Sequence, residues 1–259
     1  MERHGFSRPK EMHPFFRTPG PGRPLVFAHR GGSALAPENT MAAFANGLAL
    51  GADGIELDVH LSSDGVVVVN HDTTVDRTTS ARGSVALMTA AELAKLDVPA
   101  LSDVLRQFRD NRVIVELKVN SKQLAHAVVD VVRRADAVDR VCAGSFGQRV
   151  LNAVRGLAPS LATSAAREEV RWALYQSWIR RAPGGAKYAG FQVPETSGGT
   201  RVVSPRFVEL AHKAGLGVQV WVVDGEDDAR RLVSWGVDAL ITDRPDVLVP
   251  LVRSAAAKP

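Results

Sequence analysis

From Leu25 onward, short runs of β-branched and apolar residues alternate with longer stretches whose apolar positions recur every three to four residues. Repeated βα units around a parallel sheet need this alternation, because a strand covered on both faces reads as a continuous apolar run and each covering helix as one stripe. The runs predict strands at Leu25–His29, Gly54–Val59, Val113–Val119, Val141–Phe146, Leu161–Ala165, Gly190–Val193, Gly217–Val223 and Ala239–Thr242, with Val66–Asn70 as a ninth. Asp64-Gly65 lies between two β runs, and that pair is the strongest short signal for a two-residue hairpin, which makes its strands antiparallel. Val66–Asn70 is then an excursion, and eight parallel strands remain.

Eight βα units in about 230 residues match a (β/α)₈ TIM barrel, an α/β fold of about 250 residues, here with a short insertion after strand 2. An internal echo supports the repeat: Gly51 to Asp58 and Gly236 to Asp243 each set a glycine where a helix should stop, followed by a strand that ends in aspartate. The expected organisation is an N-terminal extension (1–23), one barrel domain (24–252, insertion about 60–100) and a C-terminal tail (253–259). A short helix is expected at Thr89–Leu96, and a glycine-containing loop from Val193 to Thr200.

Composition narrows the function classes. A hydrophobic content of 45% supports a sizeable core and rules out disorder as the main state. The 32 basic and 28 acidic residues make a mixed surface without the basic stripe of a nucleic-acid binder. The small basic excess suits an anionic substrate. Cys142 is the single cysteine, so no intrachain disulfide forms, and a buried apolar thiol is expected. No stretch approaches the ~20 apolar residues of a membrane span, and Met1 to Pro24 lacks the apolar run of a signal peptide. A cytoplasmic location is the expectation.

The chemistry comes from strand alternation. Residues two apart share a face, so Glu56 and Asp58 point together while Ile55, Leu57 and Val59 point away. Glu116 and Lys118 share a face in the next parallel strand, and His29 ends the first. All converge on the C-terminal rim, where barrels of this kind place their chemistry. With Asp64-Gly65 as the two turn residues, Ser63 pairs with Val66, and counting back sets Asp58 opposite His71. Three carboxylates gathered without compensation repel one another, and a hard divalent cation resolves that repulsion. A lone carboxylate would more simply pair with Lys118 or Arg30; three beside two histidines favour a metal site. Two imidazoles fit general acid–base work, and Arg30, Lys118 and a cation would hold an anion. With no Walker loop and no Ser-His-Asp or Cys-His arrangement, the combination points to hydrolysis or rearrangement of a phosphoester.

In order, the motifs are His29-Arg30-Gly31-Gly32, Pro37-Glu38-Asn39-Thr40, Glu56-Leu57-Asp58-Val59, Asp64-Gly65, His71-Asp72, Arg77-Thr78-Thr79, Glu116-Leu117-Lys118, Trp221 and Thr242-Asp243-Arg244-Pro245. From about Pro24 to Leu248 this series resembles the glycerophosphodiester phosphodiesterase family. The resemblance implies hydrolysis of a glycerophosphodiester to glycerol 3-phosphate and an alcohol. Metal ligands would fall on Glu56, Asp58 and Glu116, the acid–base pair on His29 and His71, phosphate contacts on Arg30 and Lys118, and an aromatic wall of the glycerol end on Trp221. It implies one divalent cation, Mg²⁺ or Ca²⁺, and a small-molecule glycerophosphodiester as partner, with no nucleic acid. Two departures bear on substrate preference: a short insertion between Asp72 and Leu101, and Trp221-Val222-Val223-Asp224 where the family usually reads Trp-Thr-Val-Asn. The alternatives are a lysophospholipase D- or sphingomyelinase D-like enzyme using the same residues, and a non-catalytic binding barrel.

Other candidates have plainer expected roles. Asn39 reads as a helix N-cap, Asp72 and Arg77 as anchors of the insertion, with Glu38 helping to orient the site. Asp243 reads as the partner of a neighbouring Arg or Lys, with support of a site residue as the alternative, and His60 as peripheral. His4, His13, His126 and His212 read as surface residues, and Gln192 and Gln219 as hydrogen-bonded barrel positions. Trp172, Tyr175 and Trp178 recur at i, i+3, i+6, read as a helix packing on the barrel rather than lying on a membrane.

Overall fold

Apolar residues at alternate positions of each strand fill the space inside a ring of strands, while their neighbours face an outer layer of helices. The computed structural model describes residues 11–20 and 22–255. In chain order the elements are β1 (Leu25–His29), α1 (Met41–Ala49), β2 (Gly54–Leu61), β3 (Val67–Val69), α2 (Ala90–Ala94), α3 (Leu101–Gln107), β4 (Arg112–Leu117), α4 (Lys122–Arg134), β5 (Val141–Gly144) and α5 (Gln148–Leu157). There follow β6 (Ala162–Thr163), α6 (Arg167–Trp178), β7 (Gly190–Pro194), β8 (Thr196–Ser197), β9 (Thr200–Arg201), α7 (Pro205–Lys213), β10 (Gly217–Trp221), α8 (Glu226–Ser234), β11 (Ala239–Thr242) and α9 (Pro245–Ala255).

Eight strands pair in parallel in the order β6-β5-β4-β2-β1-β11-β10-β7. The ends of that path meet where the Ala165 amide donates to the Gly190 carbonyl at 2.9 Å and the Ala189 amide to the Thr163 carbonyl at 2.8 Å. The (β/α)₈ barrel expected from the alternation is therefore observed. β4, β5, β6 and β10 end before their apolar runs do, residues such as Val119 and Phe146 leaving the sheet for the rim loops, whereas β2 and β7 extend beyond theirs. The expected loop from Val193 to Thr200 carries the small β8–β9 hairpin. In the insertion, Thr89 caps α2 in a capping box with Glu92.

The two echoed segments share more than a glycine. Gly51 and Gly236 both adopt positive φ just after a helix. Two residues on, Asp53 accepts the Val26 amide and Asp238 the Val218 amide, so each aspartate pins its strand to a neighbour.

Ile55, Leu57, Val59, Val113, Val115 and Leu117 face the helices in one apolar layer, and Val218, Val220 and Leu240 in another. The barrel interior holds Leu25, Phe27, Ile114, Cys142, Ala162, Ala239 and Ile241. Phe15 and Phe16, assigned from sequence to the N-terminal extension, are buried against this interior cluster. Gly190 and Gly217 make room for them: a Cβ at either position would meet the Phe16 ring at 2.5 Å. His13 helps to hold the plug, its Nδ1 accepting the Phe15 amide at 3.2 Å. His4 and residues 256–259 of the tail lie outside the described residues.

The hairpin register differs from the expectation. Val59, His60 and Leu61 face Val69, Val68 and Val67, so Asp58 lies opposite Asn70, whose amide donates to the Asp58 carbonyl at 3.0 Å, and not opposite His71. The loop holds three residues. The Gly65 amide bonds the Ser62 carbonyl, Gly65 has φ 79°, and Val66 pairs with Ser62. That is a type I turn followed by a left-handed glycine, which adds one residue to the count.

Candidate active site

The candidate side chains sit at the C-terminal rim because β1, β2 and β4 are in parallel register, with His29 beside Glu56 and Asp58 beside Glu116. After His29 the chain turns sharply through Arg30 (φ 50°) and Gly31 (φ 88°). A Cβ on Gly31 would lie 2.7 Å from Ala43 atoms, so only glycine lets the loop seat against α1. This turn aims the Arg30 amide at the Glu56 carboxylate, 3.1 Å away.

Glu56 and Asp58 are buried, Glu116 is partly so, and one oxygen from each lies within 4.8 Å of the others. One cation with oxygen ligands at about 2.0–2.6 Å fits that separation. Lys118 Nζ lies 3.3 Å from Asp58 and 3.4 Å from Glu116, and Arg30 Nε lies 3.4 Å from Asp58. Two cationic side chains thus face Asp58 and Glu116, whereas the side-chain neighbour of Glu56 is the His29 imidazole at 3.8 Å. Burial, with Asp58 and Glu116 alongside, pushes the Glu56 carboxyl up to about 8. Burial likewise raises Glu116, with Lys118 opposing. For Lys118, burial favours the neutral amine, but Glu116 and Asp58 outweigh it and hold the ammonium above its ordinary value. Carboxylates held this close repel one another and take up protons, and a donor set of three carboxylate oxygens suits a hard divalent cation in place of those protons.

Each rim histidine is oriented by an aspartate. His29 Nδ1–H donates to Asp243 Oδ1 at 2.7 Å, and the Ser33 hydroxyl donates to the same oxygen at 2.5 Å. His71 Nδ1–H donates to Asp72 Oδ1 at 2.6 Å. The Arg77 hydrogen bond, outweighing burial, lowers Asp72 to about 2; Asp243 is also lowered, burial being outweighed by His29 and Ser33. Ionised carboxylates only accept, so the hydrogen sits on Nδ1 of both rings and Nε2 carries the lone pair. At His29 burial disfavours the imidazolium, yet Glu56 and Asp243 outweigh it and raise the pKa.

Two expected roles are corrected, at Asn39 and His60, and at Asp243 the structure selects between two. Asp243 orients His29; the neighbouring Arg244 pairs instead with Asp246. Thr40 is the N-cap of α1, whereas Asn39, at φ 59°, donates from Nδ2 to Asp58 Oδ2 at 3.0 Å. His60 is buried, and its Nε2–H supports the His71 carbonyl at 3.1 Å; burial lowers its pKa and keeps the ring neutral. Arg77 bridges Asp72 and Glu38, and Glu38 in turn accepts from Arg30, which ties the insertion to the rim. Asp224 accepts from the Thr242 hydroxyl and the Asp243 amide, steadying the turn that carries Asp243. His126 is exposed and His212 pairs with Asp238. Gln192 donates to Gln219 at 2.9 Å, and Cys142 is buried.

His29, Arg30, Glu56, His71, Glu116, Lys118 and Trp221 open onto one cleft of about 740 Å³. Trp221 meets Phe146 edge-to-face at 6.0 Å, and Tyr175, Trp178 and Val222 extend the apolar wall. A larger hollow of about 850 Å³ beside α3 and α4 contains no histidine, so size does not mark the site. The helix expected to pack on the barrel does so through Ala173 and Leu174, whereas Trp172, Tyr175 and Trp178 are exposed.

Residues 29–247 match the model of the glycerophosphoryl diester phosphodiesterase family. The chain belongs to that family. Its members are phosphoric diester hydrolases, metal-dependent in general. The chain is 34% identical over 250 residues to a glycerophosphodiester phosphodiesterase of Caldanaerobacter subterraneus subsp. tengcongensis, covering 88% of this chain and 98% of that one. It is 32% identical to a probable glycerophosphodiester phosphodiesterase 2 of Mycobacterium tuberculosis, covering 88% and 90%. Among solved structures, an Oleispira antarctica phosphodiesterase in complex with the product sn-glycerol-3-phosphate superposes with TM-score 0.71 at 26% identity, covering 91% of this chain and 97% of that one. Among the described residues no helix is long and apolar enough to cross a membrane.

Proposed function

We propose that this chain hydrolyses glycerophosphodiesters to glycerol 3-phosphate and an alcohol, with His29 and His71 as the acid–base pair. The observation that carries the reading is two aspartate-oriented imidazoles opening onto one cleft, His29 beside Glu56 and His71 near Glu116, two members of a cluster of three carboxylates. Glu56, Asp58 and Glu116 would hold Mg²⁺ or Ca²⁺, which when bound polarises phosphoryl oxygens and offsets their charge. Arg30 and Lys118 would hold the remaining phosphate oxygens, and Trp221 would wall the glycerol end. One histidine takes a proton at Nε2 from the attacking hydroxyl and the other gives one to the departing alcohol; the attacker is water, or the substrate's own glycerol hydroxyl, which forms a cyclic phosphate that water then opens. The product bound to the Oleispira antarctica relative supports the glycerol 3-phosphate half of this reading.

Purified protein incubated with glycerophosphocholine and Mg²⁺ or Ca²⁺ is expected to release glycerol 3-phosphate, and chelator, Glu56→Gln or His29→Ala to abolish it. Full activity of Glu56→Gln would refute the assignment, and absence of turnover in the wild type would favour a non-catalytic barrel. The apolar wall of Phe146, Tyr175 and Trp178 favours a second reading, an enzyme that also accepts a lysophospholipid. Turnover of lysophosphatidylcholine against glycerophosphocholine separates the two.

A further inference from the structure

We infer that this protein docks on anionic lipid bilayers through the outer face of α6 and the segment that follows it. The inner face of α6 is already satisfied, since Ala173, Leu174, Gln176 and Ser177 are buried against the fold. The outer face nevertheless carries Trp172, Tyr175, Trp178 and Ile179, exposed by 65%, 46%, 54% and 73%. Trp172, Tyr175 and Ile179 at i, i+3 and i+7 form one stripe, and Trp178 lies beside it. Tyr175 and Trp178 lean on each other, rings 5.2 Å apart, and that contact still leaves both about half exposed.

The rest of the rim agrees. Leu35, Val119, Phe146 and Val222, also exposed, all lie in loops that follow barrel strands, at the cleft end. Among the described residues, the other large exposed hydrophobic side chains are Leu50 and Leu87. Large exposed apolar side chains are thus concentrated on α6 and the rim loops, and a contiguous apolar patch of this kind marks an interaction surface.

Charge selects the occupant. Between Glu169 and Glu195 no acidic residue occurs, whereas Arg171, Arg180, Arg181 and Lys187 do, all exposed. Tryptophan and tyrosine fringed by arginine suit the boundary between lipid headgroups and acyl chains: the rings enter the apolar side and the guanidinium groups meet lipid phosphates. Because Tyr175 and Trp178 also line the cleft, docking would bring its mouth to the lipid surface.

The test reads binding alone, so its failure leaves the hydrolytic reading untouched. The full chain is sedimented with phosphatidylcholine vesicles with and without phosphatidylglycerol. Wild type is expected to partition onto the anionic vesicles with a blue shift in tryptophan emission. The double variant Trp172→Ser/Ile179→Ser, neither residue lining the cleft, is expected to bind about tenfold or more weakly at an unchanged melting temperature. Arg180→Gln/Arg181→Gln should weaken binding and flatten its salt dependence. The proposal is overturned if wild type ignores anionic vesicles, if the aromatic variant binds as well as wild type, or if light scattering shows a dimer that this variant dissolves.

Discussion

Replacing Asp243 by asparagine removes one negative charge behind His29 while keeping the size of the side chain. The backbone contacts of residue 243 are independent of that charge: its amide donates to Asp224 Oδ1 at 2.8 Å and its carbonyl accepts the Ala34 amide. The fold should therefore hold, at a cost of about 1 kcal/mol for the weakened His29 and Ser33 hydrogen bonds. What is lost is a 2.7 Å hydrogen bond from the His29 ring to an ionised acceptor, worth about 1.5–3 kcal/mol when the imidazolium forms. If His29 is protonated only as the reaction proceeds, that loss falls on the transition state, and kcat should drop about 10- to 150-fold with little change in KM. Steady-state release of glycerol 3-phosphate from glycerophosphocholine measures both constants, beside a thermal melt. Asp243→Asn turning over at the wild-type rate would refute the orienting role. Ser33→Ala, which leaves the carboxylate in place, should lose less.

Asn39→Gly keeps the backbone that φ 59° demands but removes the amide on Asp58, so Mg²⁺ or Ca²⁺ affinity measured by calorimetry should fall about 10- to 100-fold. Phe16→Ala empties the plug at the barrel floor and should cost about 3–5 kcal/mol in urea unfolding; a smaller loss would mean the floor collapses around the gap. His212 is held above its ordinary value of 6.5 by its hydrogen bond to Asp238, burial opposing. Its contribution is therefore fully present below about pH 6.5 and fades as pH rises through the raised folded value. Accordingly, His212→Gln should lose more stability at pH 5.5 than at pH 9. Solvent screening at this half-exposed site keeps the difference below about 1 kcal/mol.

Strand periodicity is local, and what it governs was legible in the chain itself. With two residues per repeat, the inward face of β2 must carry Glu56 and Asp58 together, and eight apolar runs of similar spacing leave a closed parallel barrel as the arrangement that buries them. Even the hairpin error was local in origin. Ser62-Ser63-Asp64-Gly65 supports either a two-residue turn or a three-residue one, and Ser62 Oγ accepting the Val66 amide favours the longer. Helical spacing showed that Trp172, Tyr175 and Trp178 share a face, but not which way that face looks, because periodicity is unchanged when a helix turns its stripe outward.

The sequence by itself determined the barrel, the rim, and the gathering of His29, Glu56, Asp58, Glu116 and Lys118, since each follows from alternation along strands and from parallel order. Only the tertiary structure decided what holds those groups. Asp243 is 214 positions from His29, and Asn39 reaches Asp58 from a loop outside any strand. The closure of the barrel and the left-handed turn at Asn39 bring those partners within hydrogen-bond reach. Such contacts depend on distances in space, and no spacing along the chain encodes them.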